Sequence, residues 1–363
     1  MALRVTRIEY FLVHQHMRPG TVNGPEPEYQ ETRWDDVPKN LLQLETDGGI
    51  VGIGETSRGL AEEPLVAGAR RLLGLDLLGL DLTRLPIDSG GAYKCLETAV
   101  FDAVGKATGK RVVDLLGGPV RDRVEVDWWS GRRSPSDLAR WAQEGRRQGF
   151  HGMKIKCKLE DPMVERMQAV KAAVPDMPVT VDPNTRFYRR DAAADLARRL
   201  GPIGNVAVFE DPIVKDDFNE YALLRKEMEG TGIPLALHLG RPEDLRRAID
   251  GGCIDVVNAS PPSMVQFVEM ARMAGEASIP CWHGSGNDCG VMDLSYVHAC
   301  AAAPNCTLPS DIMGNRLHVE HFLVEPIAFD GTWTLLPSGP GLGGELDMAA
   351  VERQLIRRGE VTA

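Results

Sequence analysis

Short apolar runs alternate with stretches of helical period through the middle of the chain, and several of those runs end in charged residues. Val179-Thr-Val181 leads into Asp182-Pro-Asn184, Val206-Ala-Val-Phe209 into Glu210-Asp-Pro212, and a Gly-Met pair into Lys154-Ile-Lys156. Runs of this length, separated by helix-period segments, predict buried parallel strands in successive βα units. Side chains alternate along a strand, so Lys154 and Lys156 share one face and Ile155 takes the other. From residue 124 onward the predicted strand ends fall near Trp129, Lys156, Asp182, Glu210, His238, 258–260, His283 and Leu308, at steps of about 22–28 residues. That is the rhythm of a βα barrel of roughly 200 residues, and right-handed crossovers bring all the ends to one rim. Two lysines and a set of carboxylates on one rim point to metal-assisted proton abstraction.

The flanking regions have a different rhythm. Residues 1–57 predict antiparallel strands, with Asp47-Gly48-Gly49 as a turn, and a Pro/Gly-rich connector over 14–29 long enough to be mobile or functional. Residues 62–117 read as helical, most clearly over 93–107. Strands followed by helices make an α+β layer, to which the segment after residue 315 is expected to return.

Composition narrows the function without naming it. The 363 residues carry a net charge of −11, which argues against a nucleic-acid partner. An anionic substrate must then be drawn by a local metal or local Lys/Arg rather than by the overall field. No apolar run approaches membrane-spanning length and the N-terminus lacks the apolar core of a secretory leader. Seven cysteines without framework or CxxC spacing fit a reduced, cytoplasmic setting and disfavour a thiolate zinc site. Gly339-Pro-Gly-Leu-Gly-Gly344 satisfies GxGxxG in letters only, since no βαβ context surrounds it.

Taken in order, Gly49-Ile-Val-Gly-Ile-Gly-Glu55, Leu96-Glu-Thr-Ala-Val-Phe-Asp102, Asp114-Leu-Leu-Gly-Gly118, Lys154-Ile-Lys156, Asp182-Pro-Asn184, Phe209-Glu-Asp-Pro212 and Pro340-Gly-Leu-Gly343 span nearly the whole chain. In these motifs the sequence resembles the enolase superfamily, specifically its mandelate racemase/muconate lactonizing enzyme group. The resemblance implies an α/β fold, a modified TIM-type (β/α)7β barrel over 123–316. It also implies an α+β capping domain built from 1–122 and the returning segment 317–363. It further implies a divalent cation, usually Mg2+, abstraction of the proton α to a substrate carboxylate through an enediolate, and a homo-oligomer, dimer or octamer.

Residue by residue, Asp182 and Glu210 match the first two metal ligands, and carboxylate oxygens suit Mg2+. The third slot, usually Asp, Asn or Glu, holds His238, which either ligates the metal, extending the choice to Mn2+ or another divalent ion, or contacts substrate. Lys156 matches the base and Lys154 its assistant; a like charge alongside and a nearby cation favour the neutral amine a base requires. The opposite face departs from the group. Ser260 stands where lactonizing enzymes carry a second lysine and Gly284 where racemases carry histidine. His283, one residue earlier, is either barrel-wall structure or the general acid, a role His238 also offers. Asn184, His14, Trp129 and Asp288 are the candidate substrate contacts. Arg132 and Arg133 either bind a distal carboxylate or lie exposed.

One base with an uncertain opposite partner favours dehydration of a sugar acid over two-base racemisation. The substrate is accordingly expected to be a small acid sugar, with neither nucleic acid nor membrane as partner. A racemase, epimerase or lactone cycloisomerase on the same intermediate is the alternative, and a barrel that has lost catalysis and only binds is another.

Overall fold

The computed structural model describes residues 2–30, 38–88, 90–184 and 188–362. Strands β1 (Val5–Val13), β2 (Lys39–Thr46) and β3 (Val51–Glu55) come first, then helices α1 (Glu62–Leu72), α2 (Tyr93–Thr108) and α3 (Val112–Leu115). After β4 (Arg123–Glu125) strand and helix alternate: β5 (Trp128–Ser130), α4 (Pro135–Arg147), β6 (Met153–Lys156), α5 (Met163–Ala173), β7 (Val179–Asp182) and α6 (Arg190–Leu200). The alternation continues through β8 (Val206–Glu210), α7 (Phe218–Glu227), β9 (Leu235–Leu239), α8 (Pro242–Asp250), β10 (Val256–Ala259), α9 (Met264–Glu276), β11 (Cys281–His283) and α10 (Gly290–Ala302). The chain ends with α11 (Gly314–Leu317), β12 (Phe329–Asp330), β13 (Trp333–Leu335), α12 (Met348–Arg353) and β14 (Leu355–Thr362).

β5 to β11 form one parallel sheet of seven strands in sequential order, curled into a half-barrel with helices outside. An eighth regular strand near Leu308 does not form. In its place Cys281 bridges Cys306 and Val126 bridges Ser310, each over a single residue. Pro309 lies between these bridges and has no N–H to give a ladder. The seam still closes, because the amide of Ser310 donates to Glu125 O at 2.8 Å and that of Asp311 to His283 O at 3.0 Å.

A separate antiparallel sheet, ordered β14-β1-β2-β3, joins the two chain ends. β1, β2 and β3 are buried on both faces, which is why β1 reads as nearly continuous apolar sequence, whereas the edge strand β14 is largely exposed. Ile8, Tyr10, Leu42 and Leu44 pack under α1 and α2, whereas Phe11, Val13, Leu41 and Ile53 belong to the barrel core. A Cβ at Gly52 would lie 2.1 Å from Ala99 O, and one at Gly54 2.4 Å from Cys95 O, so only glycine lets β3 rest on the backbone of α2. All seven cysteines are free, and no helix among the described residues is long and apolar enough to cross a membrane.

A buried ion cluster joins the terminal sheet to the barrel. The Lys39 ammonium lies 2.6 Å from Glu55 and 2.5 Å from Asp288. Glu55 also accepts the amides of Cys289 (2.6 Å) and Met292 (2.9 Å), so a carboxylate of the terminal sheet caps the positive end of barrel helix α10. Lys39→Met leaves Glu55 and Asp288 buried without their counter-ion and is expected to lower the unfolding free energy by about 3–5 kcal/mol, measured by urea denaturation.

His298, inside α10, receives the amide of Val113 at Nδ1 (3.1 Å), and its Nε2 lies 3.1 Å from Leu342 O. That pattern fits the neutral ring, and burial lowers its pKa from 6.5 to about 4. The unfolded chain therefore binds this proton first, and the stability it opposes is lost as pH falls from about 6.5 towards 4. A melting temperature that declines across this window, less steeply in His298→Asn, is the expected result.

Candidate active site

Parallel register assembles the site. Lys156 stands opposite Asp182, Lys154 opposite Trp129 and Thr180, and His238 opposite Asn258. The pleat therefore turns both lysines, Asp182, Glu210, His238 and Asn258 into the barrel mouth at the carboxyl ends of the strands. The Lys154 ammonium lies 2.7 Å from Glu210, 2.7 Å from Asp311 and 3.6 Å from Asp182. Lys156 donates to Asp182, and the amide of Asn184 binds the other Asp182 oxygen at 2.8 Å. Asn258 donates to Glu210 at 2.7 Å, and His238 Nδ1 lies 3.7 Å from the same oxygen.

Charge separates the roles of these groups. Burial disfavours the Lys154 ammonium, but Asp311, Glu210 and Asp182 outweigh it and hold Lys154 as a cation well above the ordinary lysine range. Burial likewise opposes the Asp182 carboxylate, yet Lys156 and Lys154 hold its pKa down to about 2. Glu210, buried beside Asp182, is pushed up to about 7. Burial, then Lys154 and Lys215, lowers His238 to about 3, which leaves a neutral imidazole at physiological pH. A neutral imidazole is a ligand rather than a proton donor.

The donor set fits a divalent cation. Glu210, Asp211 and His238 offer donor atoms that all lie within 4.8 Å of one another. Asn258 Oδ1 and Ser260 Oγ are buried on the adjoining strand without hydrogen-bond partners. Oxygens with one imidazole suit Mg2+ or Mn2+. Asp211 is the less available ligand: at a φ of +46°, its carboxylate bonds the amide of His238 (3.0 Å) and Lys215 (2.6 Å).

Four of the sequence-predicted residues stand elsewhere or act differently. His283 faces away from the mouth, its ring 4.5 Å from Phe267 and 4.0 Å from Tyr296, with Nδ1 2.5 Å from Gly284 O. Burial keeps it neutral, so the alternation along β11 that turns Trp282 inward makes His283 barrel wall and removes it as general acid. Asp288 is 3% exposed and engaged by Lys39 and Tyr296 (2.6 Å), which takes it out of reach of a substrate. Arg132 and Arg133 are both buried, with their donors on backbone carbonyls and on Asp161 and Asp137. Trp129 lines the mouth beside Lys154. His14 is half-buried at the end of β1, its ring stacked on His16 and its amide on Gln354 O at 2.9 Å.

Sequence reasoning passed over Asn258, Asp311 and Asp127. Asn258 shares a strand face with Ser260, so period-2 counting finds it. Asp311 lies just beyond the last predicted strand end at Leu308, where a carboxylate is worth noting for the same reason as at Asp182. Asp127 is buried, and burial with Asp311 nearby raises its pKa well above the carboxylate range. Nothing local in the sequence marks it. Opposite the lysines, a Cβ at Gly284 would stand 2.2 Å from Asn258 Oδ1 and 2.6 Å from Ser260 Oγ, so a side chain there would have to displace both.

Residues 137–350 match the family model "Enolase C-terminal domain-like". The chain is 32% identical over 340 residues to the N-succinylamino acid racemase of Thermus thermophilus, covering 87% of this chain and 89% of that one. It is 28% identical over 262 residues to the arabinonate dehydratase of Saccharolobus solfataricus, covering 68% of each. In fold it is similar to the N-succinyl Arg/Lys racemase of Bacillus cereus, with a TM-score of 0.84 at 20% identity over 99% of this chain and 100% of that one.

Asn258→Ala frees Glu210 from its orienting amide and is expected to weaken Mn2+ binding by roughly 10–100-fold in a calorimetric titration. His283→Asn, on the outer face of β11, is expected to leave that affinity unchanged.

Proposed function

Because the chain belongs to the enolase superfamily, in its mandelate racemase/muconate lactonizing enzyme group, we propose that it dehydrates a sugar acid by abstracting the proton α to the carboxylate. Enzymes of this superfamily bind Mg2+, and relatives of the chain include racemases, cycloisomerases, o-succinylbenzoate synthases and sugar-acid dehydratases acting on small carboxylates. One observation carries the dehydratase reading: both lysines stand on one side of the mouth, and the other side offers Ser260, Asn258 and Gly284.

Glu210 and His238, whose donor atoms lie within 4.8 Å, would hold the cation with Asn258 orienting Glu210, and the family resemblance adds Asp182 beside them as the third ligand. When bound, a divalent cation supplies Lewis-acid stabilisation of the charge that builds on the substrate carboxylate. Lys154, kept cationic by Asp311 and Glu210, supports that same charge. Lys156 takes the proton from the α carbon. As an ammonium on the same face, it then returns a proton to the departing β-hydroxyl, so water leaves and the enol tautomerises to a 2-keto-3-deoxy acid. A syn elimination of this kind needs one acid/base residue, whereas racemisation needs proton delivery to both faces. Residues 1–122 and 317–363 form the capping domain over a catalytic barrel of 123–316 in this reading, which the pairing of β14 with β1 supports.

The 32% identity to a racemase favours a second reading, isomerisation through the same enediolate. A screen of aldonic, uronic and aldaric acids with Mg2+ or Mn2+ separates the two. Dehydration gives 2-keto-3-deoxy products that vanish in Lys156→Ala. Deuterium entering C2 from solvent without loss of water points instead to isomerisation.

A further inference from the structure

Segment 14–30 crosses from the end of β1 to the first barrel strand and is held at both sides. At one side Arg18 bonds Leu317 O through its amide (2.7 Å) and His318 O through Nε (2.6 Å). At the other, a Cβ at Gly131 would lie 2.2 Å from Val22 O, Arg133 donates to Gly20 O at 2.6 Å, and Arg132 donates to Glu28 O at 3.0 Å. The two arginines then diverge. Arg133 turns back to Ser130 (2.8 Å) and Asp137 (2.7 Å), on its own turn and helix. Arg132 continues inward, its fork on both oxygens of Asp161 at 2.5 and 3.1 Å.

Asp161 also accepts the amide of Lys158 at 3.0 Å and Arg166 at 3.1 Å. Arg166 is 0% exposed in α5 and donates from its other amino group to Lys156 O at 3.1 Å. Buried charges therefore run without a break from the backbone of segment 14–30 to the backbone of Lys156. Apolar side chains of similar volume would serve stability as well as such a cluster, so what the charges add is directional geometry.

We infer that Asp161 is a positioning residue that couples the seating of segment 14–30 to the placement of Lys156. The inference rests on the reading of Lys156 as the base. With the segment seated, Arg132 and Arg166 share Asp161 and the Lys156 carbonyl is pinned. When Arg132 is drawn away, Asp161 loses the fork that fixes both its oxygens, the Asp161–Arg166 pair is free to shift, and the end of β6 loosens.

Amide hydrogen exchange on the full chain, read by mass spectrometry without substrate, tests the coupling. Arg132→Gln is expected to speed exchange by roughly tenfold or more both in 18–30 and in 154–161. Arg133→Gln, which also loosens the segment but ends at α4, is expected to speed exchange in 18–24 and leave 154–161 unchanged. Arg132→Lys, which keeps a charge on Asp161, restores protection at 154–161. An Arg132→Gln effect confined to 18–30 overturns the inference, as does an equal effect of Arg133→Gln at 154–161. Asp161→Asn adds a direct arm, and if it fails to fold the arginine variants decide alone. The exchange readout needs no turnover, so failure of the dehydratase reading and failure of this coupling are separately visible. Where turnover is measured, kcat falls more than KM rises in Arg132→Gln, and the reverse split overturns the coupling.

Discussion

An ammonium buried among three carboxylates sets the terms for everything at the barrel mouth. Lys154 touches Glu210 on β8 and Asp311 beyond β11, and lies near Asp182 on the neighbouring β7. Four carboxyl groups, counting Asp127, could not be gathered in so small a volume without it. After Lys156 its charge keeps Asp182 ionised, after burial it lowers the affinity of His238 for a proton, and Glu210 and Asp127 carry the cost of burial. The mouth is thus electrostatically suited to the proposed cation and substrate carboxylate, on a chain whose overall charge is −11.

The same logic recurs where the terminal sheet meets the barrel. Lys39 neutralises Glu55 and Asp288 in a site with no access to water, and Glu55 closes the amide end of α10. Asp288 follows β11 by a few residues, so the ion cluster of the terminal sheet holds the loop that carries Gly284. The family resemblance leads one to look for a second acid or base on that loop. The structure instead turns His283 into the helix layer against Phe267 and Tyr296, and fills the space above Gly284 with Asn258. The two sides of the mouth are chemically unequal, and that inequality supports the proposed use of a single acid/base residue on one face.

Much of this was legible in the sequence. The alternation of apolar runs and helical segments gave the parallel strands, and period-2 counting put Lys154 with Lys156 on one face. Asp182, Glu210 and His238 fell at strand ends and meet there. The sequence leaves His283 as either barrel wall or general acid, and the alternation along β11 that turns it to the helix layer decides for the wall. Asp288 lies beyond β11, and only its long-range contact with Lys39 buries it. Arg132 and Arg133 were judged by charge alone, although buried arginines bind carbonyls as readily as substrates.

The sequence by itself determined what depends on neighbours along the chain: strand or helix, the face a side chain takes, and the charge at each strand end. Those follow from local backbone geometry and need no knowledge of what lies across the barrel. Only the tertiary structure decided which charges meet. Lys154 finds Asp311 across 157 residues and Lys39 finds Asp288 across 249. No local period encodes such pairs, because they exist only once the barrel has curled and both chain ends have joined one sheet. It is those long-range partners that fix which groups hold their protons and which residues are free to act.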